Sequence, residues 1–583
     1  MSEQTTQERL GLGLSGGGLR ASFFHIGVLA QMAELNLLRH VEVISTVSGG
    51  SIIGALYYLH LKKLLESKAD ADITDRDYVE IVRSIEKDFL AATEKNIRMA
   101  TFSSFAANFR MRFLNYSRSD RIGELYNEWL YQNVLQNVGK PVEMRNLKIH
   151  PGGRMDFHPN KHNAGRSAKV PILVLNATAL NTGRNWQFTA QTMGKPPIPP
   201  NDPIDTKPIR LLQAEAYDDI VPHQQDFPLG LAVAASACVP GLFDPMAVSG
   251  LYNDLLEKQE IRAQLVDGGV NDNQGINGLI TNGCTCFVIS DASGQMGIKN
   301  NPDTGAVSVL LRVSSILQDR VRIEGLRHLM DSRGTHNVAF MNLRKGVEIR
   351  EIHWVDQDSK QAPDTVIEST SPGFGVDPGV QDSLSQMRTD LDAFTEVEAY
   401  SLMLDGYRMS REDLEHFKNN AHCMRAANPG SNRTLPETPW KFMEIDPWIK
   451  NPTPDYCRQL EIAQSTFGKA LMCFVWLRIA LLLFVAGALY FCWPYLKELL
   501  SITVSVSALV GVFIVWLINN LAPKLASTFS FLETLRPWAE IFKSAVKAAA
   551  LLLGTIFIKF YLLFINPLYV EQGRVSKLTK PGG

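Results

Sequence analysis

Several things are missing from this 583-residue chain, and each absence narrows the choice of function. Neither sign of charge is in excess: 58 basic residues face 60 acidic ones, so no overall field argues for nucleic acid. The seven cysteines, Cys238, Cys284, Cys286, Cys423, Cys457, Cys473 and Cys492, show no C-x-x-C spacing and lie mostly in apolar runs, which suits reduced, buried thiols rather than a disulfide framework. Cys284 and Cys286 alternate within CTCFVIS, the pattern of a core strand rather than a metal site. His150, His158 and His162 share a polar loop, but Pro159 breaks the helix that would align the last two, and no carboxylate or thiol completes a ligand set. Neither a metal nor any other cofactor is expected. The opening MSEQTTQERL has no apolar core and does not read as a secretory signal, and no internal repeat is present. The dinucleotide fingerprint G-x-G-x-x-G is absent too.

What is present begins with a strand-and-helix alternation. GLGLS (11–15) reads as a strand and 19–35 as an amphipathic helix, with Gly16, Gly17 and Gly18 between them. HVEVIST then reads as a buried strand and SIIGALYYLHLKKL as a helix. Strand, helix, strand, helix implies an α/β fold with a mostly parallel sheet. Residues 76–140 look mostly helical, strands resume at 170–180 and 185–190, and 263–269 and 284–290 read as buried strands. A long amphipathic helix over roughly 306–330 precedes an expected hairpin at 337–354, and helices return at 381–418.

The turn ISTVSGGSIIG (44–54) carries Ser45, Ser48 and Ser51. A serine at the tip of a sharp strand-to-helix turn presents its hydroxyl to a cleft, and its neighbours must be small. Ser48 holds that tip, with Gly49 and Gly50 opening the helix. Ser45 belongs to the strand, and Ser51 lies one helical turn on. The G-x-S-x-G consensus is imperfect, because Thr46 stands where its first glycine would be. The same Ser-Gly-Gly also fits an ordinary turn.

Acyl transfer needs a base and oxyanion donors as well. The glycine run 16–18 at a helix N-terminus exposes backbone N–H groups, and Arg20 sits just inside that helix. For the base, His25 lies on FFHIGVL and reads as a packed histidine. Asp267, following AQLV and followed by Gly268 and Gly269, stands where strand ends gather active groups, although a plain D-G-G turn has the same pattern.

GLGLSGGGLRASFFHIGVL, EVISTVSGG, ASACVPGLFDP and LVDGGVNDNQGI, in this order, resemble the patatin-like phospholipase family, and Ser-Gly-Gly-Gly-x-Arg also looks like the group IV cytosolic phospholipases. NATALNTGRNWQF and residues 387–407 are similar to bacterial members, so the resemblance covers roughly 8–425. It implies a three-layer α/β fold and a metal-independent Ser–Asp dyad acting on phospholipid or related acyl esters. Ser48 would be the nucleophile, Asp267 the base, Gly16, Gly17 and Gly18 the oxyanion loop, and Arg20 its helper. A catalytically inactive membrane scaffold and a lipid transacylase are the competing expectations.

Three apolar runs, 470–493, 499–518 and 545–570, each reach the roughly 20 residues that span a hydrocarbon core. Arg478 and Lys559 interrupt two of them, at a nominal ~2.5–3.5 kcal/mol each at a helix centre. The expected organisation is a hydrolase domain over 1–425, a proline-containing linker over 426–465, a membrane region of two or three helices over 466–570, and a basic tail over 571–583. Basic residues before the first run place the large domain in the cytosol, giving a multi-pass protein whose partner is the bilayer. Three full spans would put Arg574, Lys577 and Lys580 on the opposite side, so either the positive-inside tendency fails or one run is re-entrant.

Overall fold

A computed structural model describes residues 8–581, apart from 114–115, 136–138, 197–212, 255–258, 294–296, 298, 348, 351–365, 368–373, 428–439, 502–547 and 550. Ten strands form one mixed sheet: β1 (Leu10–Leu14), β2 (Val41–Val47), β3 (Ile172–Ala179), β4 (Arg184–Phe188), β5 (Thr192–Gly194), β6 (Glu215–Ala216), β7 (Met246–Asp254), β8 (Gln259–Asp267), β9 (Cys286–Asp291) and β10 (Val338–Asn342). In the order β10-β9-β1-β2-β3 every pairing is parallel; β4, β5 and β6 extend β3 antiparallel.

Period-two alternation divides the strand side chains between two cores. Ile44, Leu173 and Leu175 face a large core with helices α1 (Gly18–Glu34), α2 (Gly49–Ser67) and α3 (Asp75–Thr93), whereas Val43, Val174, Phe287 and Ile289 face a smaller one. On the large-core side, α4 (Leu229–Ser236) follows the region 197–228. The smaller core is closed by Ile276 and Leu279 of α5 (Ile276–Thr281) and Leu329 of α6 (Ala306–Arg333). Helices thus cover both faces, which is the three-layer arrangement expected.

Some local expectations change. Helix α1 is not amphipathic in place: Leu19 to Glu34 are all buried, because α7 (Glu396–Asn420) covers its outer side. Phe23 meets Phe394 at 5.2 Å between centroids, and Tyr407 Oη and Trp440 Nε1 both donate to Glu34 at 2.7 Å. The hairpin expected at 337–354 does not form there, because β10 joins the main sheet parallel to β9; residues 351–354 lie outside the described residues. The described part of the expected linker is folded onto the domain, with Trp440, Phe442, Ile445, Ile449, Tyr456 and Leu460 buried. Large apolar side chains make that stretch a packing element despite its prolines.

Toward the carboxyl end, α8 (Val475–Ser501) takes in the start of the run 499–518, which beyond Ser501 lies outside the described residues. Helix α9 (Leu551–Gln572) is the one described helix that is long and apolar enough to cross a membrane. Leu553, Phe557, Lys559 and Leu563 on it are exposed, but its last turns dock on the domain. Tyr569 Oη donates to Glu398, Asn566 Nδ2 donates to Glu94 O, and Arg574 bridges Glu94 and Glu396. The tail follows, with Val575 and Leu578 buried.

Candidate functional site

Two strands meeting end to end create the site. The far edge of β3 is occupied by β4 from Leu175 to Ala179, so β8, which pairs with Ala177 to Ala179, must share the near edge with β2, which pairs with Ile172 to Asn176. β2 runs up that edge and ends with Val47 opposite Asn176. β8 runs down it and ends with Asp267 opposite Ala177. Ser48, one residue beyond β2, and Asp267 therefore arrive from opposite directions at adjacent positions.

The Ser48 side chain lies close enough to the Asp267 carboxyl to act on its pKa. Both residues are buried. Burial pushes the Asp267 carboxyl up to about 6, against the opposing effects of Ser48 and of the Gly269 N–H, whose hydrogen bond to it is 2.7 Å long. Its backbone is fixed as well, with Asp267 N–H donating to Cys238 O and Thr178 Oγ1 donating to Asp267 O.

Ser48 has φ 51° and ψ −118°, outside the regions L residues favour, which costs of order 1–3 kcal/mol. Surrounding contacts hold it there. The Ser48 N–H donates to Ser236 Oγ at 3.0 Å, and the Gly50 N–H to Ser15 O at 3.1 Å. A Cβ on Gly49 would lie 2.0 Å from Gly18 O, so glycine is required where the elbow touches the glycine loop. The departure at Thr46 is absorbed across the helix: Thr46 Cγ2 lies 2.5 Å from where a Cβ on Gly54 would sit, so the missing side chain on α2 makes room for the extra one on β2.

The other two serines are committed elsewhere. Ser45 Oγ accepts from Asn176 Nδ2 at 2.9 Å, and Ser51 Oγ is bonded to Thr46 Oγ1 and Ser236 Oγ. Ser236, at the end of α4, is a residue that motif reading passes over. Its single proton goes to Asn176 O at 2.6 Å, since a carbonyl only accepts; the hydroxyl must then accept from both Ser48 N–H and Ser51 Oγ. Asn176 O also sits 2.4 Å from where a Cβ on Gly268 would be, so Ser236 and Asn176 tie the Ser48 elbow to the Asp267 turn.

The glycine loop is only partly available. Gly16 N–H donates to Asn273 O, and the Asn273 side chain fills the space beside Gly16 and Gly269. Gly17 (φ 136°) and Gly18 (φ 58°) have positive φ, and their N–H groups have no hydrogen-bond partner among the described residues. A Cβ on Gly18 would come within 1.4 Å of Thr389 O. These two amides, at the first turn of α1, are the donors left for an oxyanion.

Arg20 turns its guanidinium to backbone carbonyls. Its Nη1 donates to Ser385 O and Met387 O and its Nη2 to Ala292 O, at 2.8–3.1 Å, and burial lowers its pKa to about 10. Arg20 is a clamp, holding the Ala292 carbonyl against Gly17. His25 is packed, as expected. Nε2 donates to Ser15 O, Nδ1 accepts from Ser290 Oγ, and burial lowers its pKa to about 4, so it stays neutral and fastens the strand end before the loop. In the 150–168 loop, His162 Nδ1 accepts from the His158 N–H. Asn273, within NDNQG, and Asn176, within NATAL, could have been singled out from the motifs quoted; Ser236 carries no local signal.

Residues 12–280 match the family model of the patatin-like phospholipases, and this span holds Gly16–Gly18, Ser48 and Asp267. A search of curated proteins gives no match. Similar solved structures include human GIVD cytosolic phospholipase A2 in complex with methyl γ-linolenyl fluorophosphonate and terbium chloride, 12% identical over 72% of this chain and 60% of that one, with a TM-score of 0.35. VipD from Legionella pneumophila is 12% identical over 71% of this chain and 67% of that one (TM-score 0.25). ExoU of Pseudomonas aeruginosa, in complex with SpcU, is 11% identical over 56% and 53% (TM-score 0.20). The chain thus spans about 60% of the length of the human phospholipase.

Proposed function

We propose that the chain is a membrane-anchored serine lipid acyl hydrolase of the phospholipase A or lysophospholipase type. The observation that carries this reading is the strand register that brings Ser48, one residue past β2, beside Asp267, the last residue of β8, within the residues that match the patatin-like phospholipases. Asp267 takes the Ser48 proton as Oγ attacks an acyl carbonyl, and the Gly17 and Gly18 N–H groups receive the oxyanion. Collapse expels the lipid alkoxide, which takes the proton from Asp267. Water, deprotonated by the same carboxylate, then releases the fatty acid and regenerates Ser48. A base with a pKa near 6 is ionised at neutral pH yet basic enough to accept a proton in the transition state.

Anchoring is supported by the apolar exposed surfaces of α8 and α9. Both are rooted on the domain: Ala470 and Tyr569 share a small core with Leu477 and Ile565 packed against it. Both roots being on one side, an even number of crossings separates them, and the tail with Arg574 and Lys577 stays with the domain. Basic residues at those roots, Lys469, Arg478, Arg574 and Lys577, favour the cytoplasmic side. Holding the domain on the bilayer raises the local lipid concentration.

Lipid mass spectrometry of the purified full chain on mixed bilayers tests the reading: fatty acid and lysolipid accumulate with wild type and not with Ser48→Ala. Absence of product from wild type, or equal product from both, rejects it.

A further inference from the structure

We propose that the amino-terminal half of α6 is a second lipid contact, an apolar arm that lies in the bilayer surface beside the mouth of the Ser48 site; this rests on the lipid-hydrolase reading. Only Arg322 and Leu329 of α6 are buried. Val307, Leu310, Leu311 and Leu317 are 58–71% exposed, an unusual load for a soluble surface.

Contacts with the sheet fix where the arm points. Arg333 lies over Phe287 near the start of β9, and Arg322 Nη1 reaches Asp291 at its carboxyl end, 3.2 Å away. From residue 333 to 322, α6 therefore runs along β9 toward the carboxyl edge of the parallel strands. The remaining residues, 306–321, continue about 24 Å past that edge at the rise of an α-helix. Ser48, Gly17 and Gly18 stand on the same edge. So do the roots of the apolar helices: Thr389 O packs against Gly18, and a few residues on, Asp392 pairs with Lys469 and Glu398 accepts from Tyr569. Three apolar helices leave the domain from one edge, and the candidate nucleophile lies among them.

The arm's pattern selects a bilayer over a second copy of the chain. Ser308, Arg312, Ser315 and Asp319 follow one another by four, three and four residues and form one narrow polar stripe. Apolar side chains occupy most of the remaining circumference. A helix–helix seam needs a narrow apolar stripe, and an arc this wide would stay largely wet in a dimer. A helix sunk into the headgroup boundary with its polar stripe outward covers it.

A photo-crosslinking benzoylphenylalanine placed at Leu310 of the full chain, reconstituted in phosphatidylcholine and phosphatidylglycerol nanodiscs, identifies what touches the arm. Adducts to lipid support the proposal. Crosslinks to a second copy, to another segment of the same chain, or no adduct at all overturn it. In parallel, the double substitution Leu310→Asp and Leu317→Asp should lower the rate on phospholipid vesicles, relative to that on a water-soluble short-chain ester, by at least about fivefold. An unchanged ratio also overturns it. If wild type hydrolyses neither substrate, the hydrolase reading fails, while the crosslinks still decide what the arm contacts.

Discussion

Replacing Asp267 by asparagine should make the protein more stable while abolishing its activity. The carboxyl is fully enclosed, and its pKa rises from 3.8 to about 6 because the charged form loses its hydration. Folding therefore takes up a proton between those two values, and stability falls as pH rises through that window. The difference corresponds to about 3 kcal/mol by pH 7. Asparagine is the same size, keeps an oxygen for the Gly269 N–H, and never carries the charge. Wild type and variant should melt together below about pH 3, where the aspartate is neutral in both folded and unfolded chains. The variant should then pull ahead through pH 6 and hold a constant lead above it. The assay is a pH series of melting temperatures on the detergent-solubilised full chain. A gap that does not change with pH, or a wild type that is the more stable at pH 7, refutes the claim that Asp267 is a buried base stripped of its hydration.

Other consequences follow from the same geometry. The rate on a soluble ester should rise with pH through about 6 and then level, as Asp267 ionises; a flat profile from pH 4.5 to 8 contradicts its role as base. Ser236→Ala leaves the Ser48 N–H without its acceptor, which should cost about 1–3 kcal/mol in thermal stability and lower kcat more than it alters KM. Gly54→Ala drives a methyl into Thr46 and should cost about 1–3 kcal/mol, most of it recovered in the double variant Gly54→Ala/Thr46→Gly; additive losses would refute the pairing. Arg20→Lys cannot bridge the Ser385, Met387 and Ala292 carbonyls with one ammonium, so kcat should fall as the glycine loop loosens, with KM little changed.

Much of this was legible in the chain because its signals are local. Glycines 16–18, the Ser48 turn and the D-G-G at 267–269 each announce a backbone bend, and the alternation of strand and helix announces the α/β layers. What escaped reading depends on partners distant in sequence. Nothing near Asp267 says that β8 runs against β3 and ends nose to nose with β2, because that is a matter of sheet register. The hold of Arg20 on three carbonyls could not be read locally, because those partners lie more than 270 residues away in the chain. Ser236 is one small polar residue in an alanine-rich helix, distinguishable only once Ser48 and Asn176 are seen beside it. Apolar content misled in both directions: α1 is wholly buried because α7 covers its outer side, whereas the first half of α6 is bare.

The central claim, that Ser48 is a nucleophile activated by Asp267, is tested most directly by mapping a fluorophosphonate adduct on the full chain reconstituted in lipid nanodiscs. The account predicts a single adduct on the peptide bearing Ser48, absent in Ser48→Ala and strongly slowed in Asp267→Asn. An adduct on Ser45, Ser51 or Ser236 instead, labelling that persists in Ser48→Ala, or a wild type that does not react would contradict it.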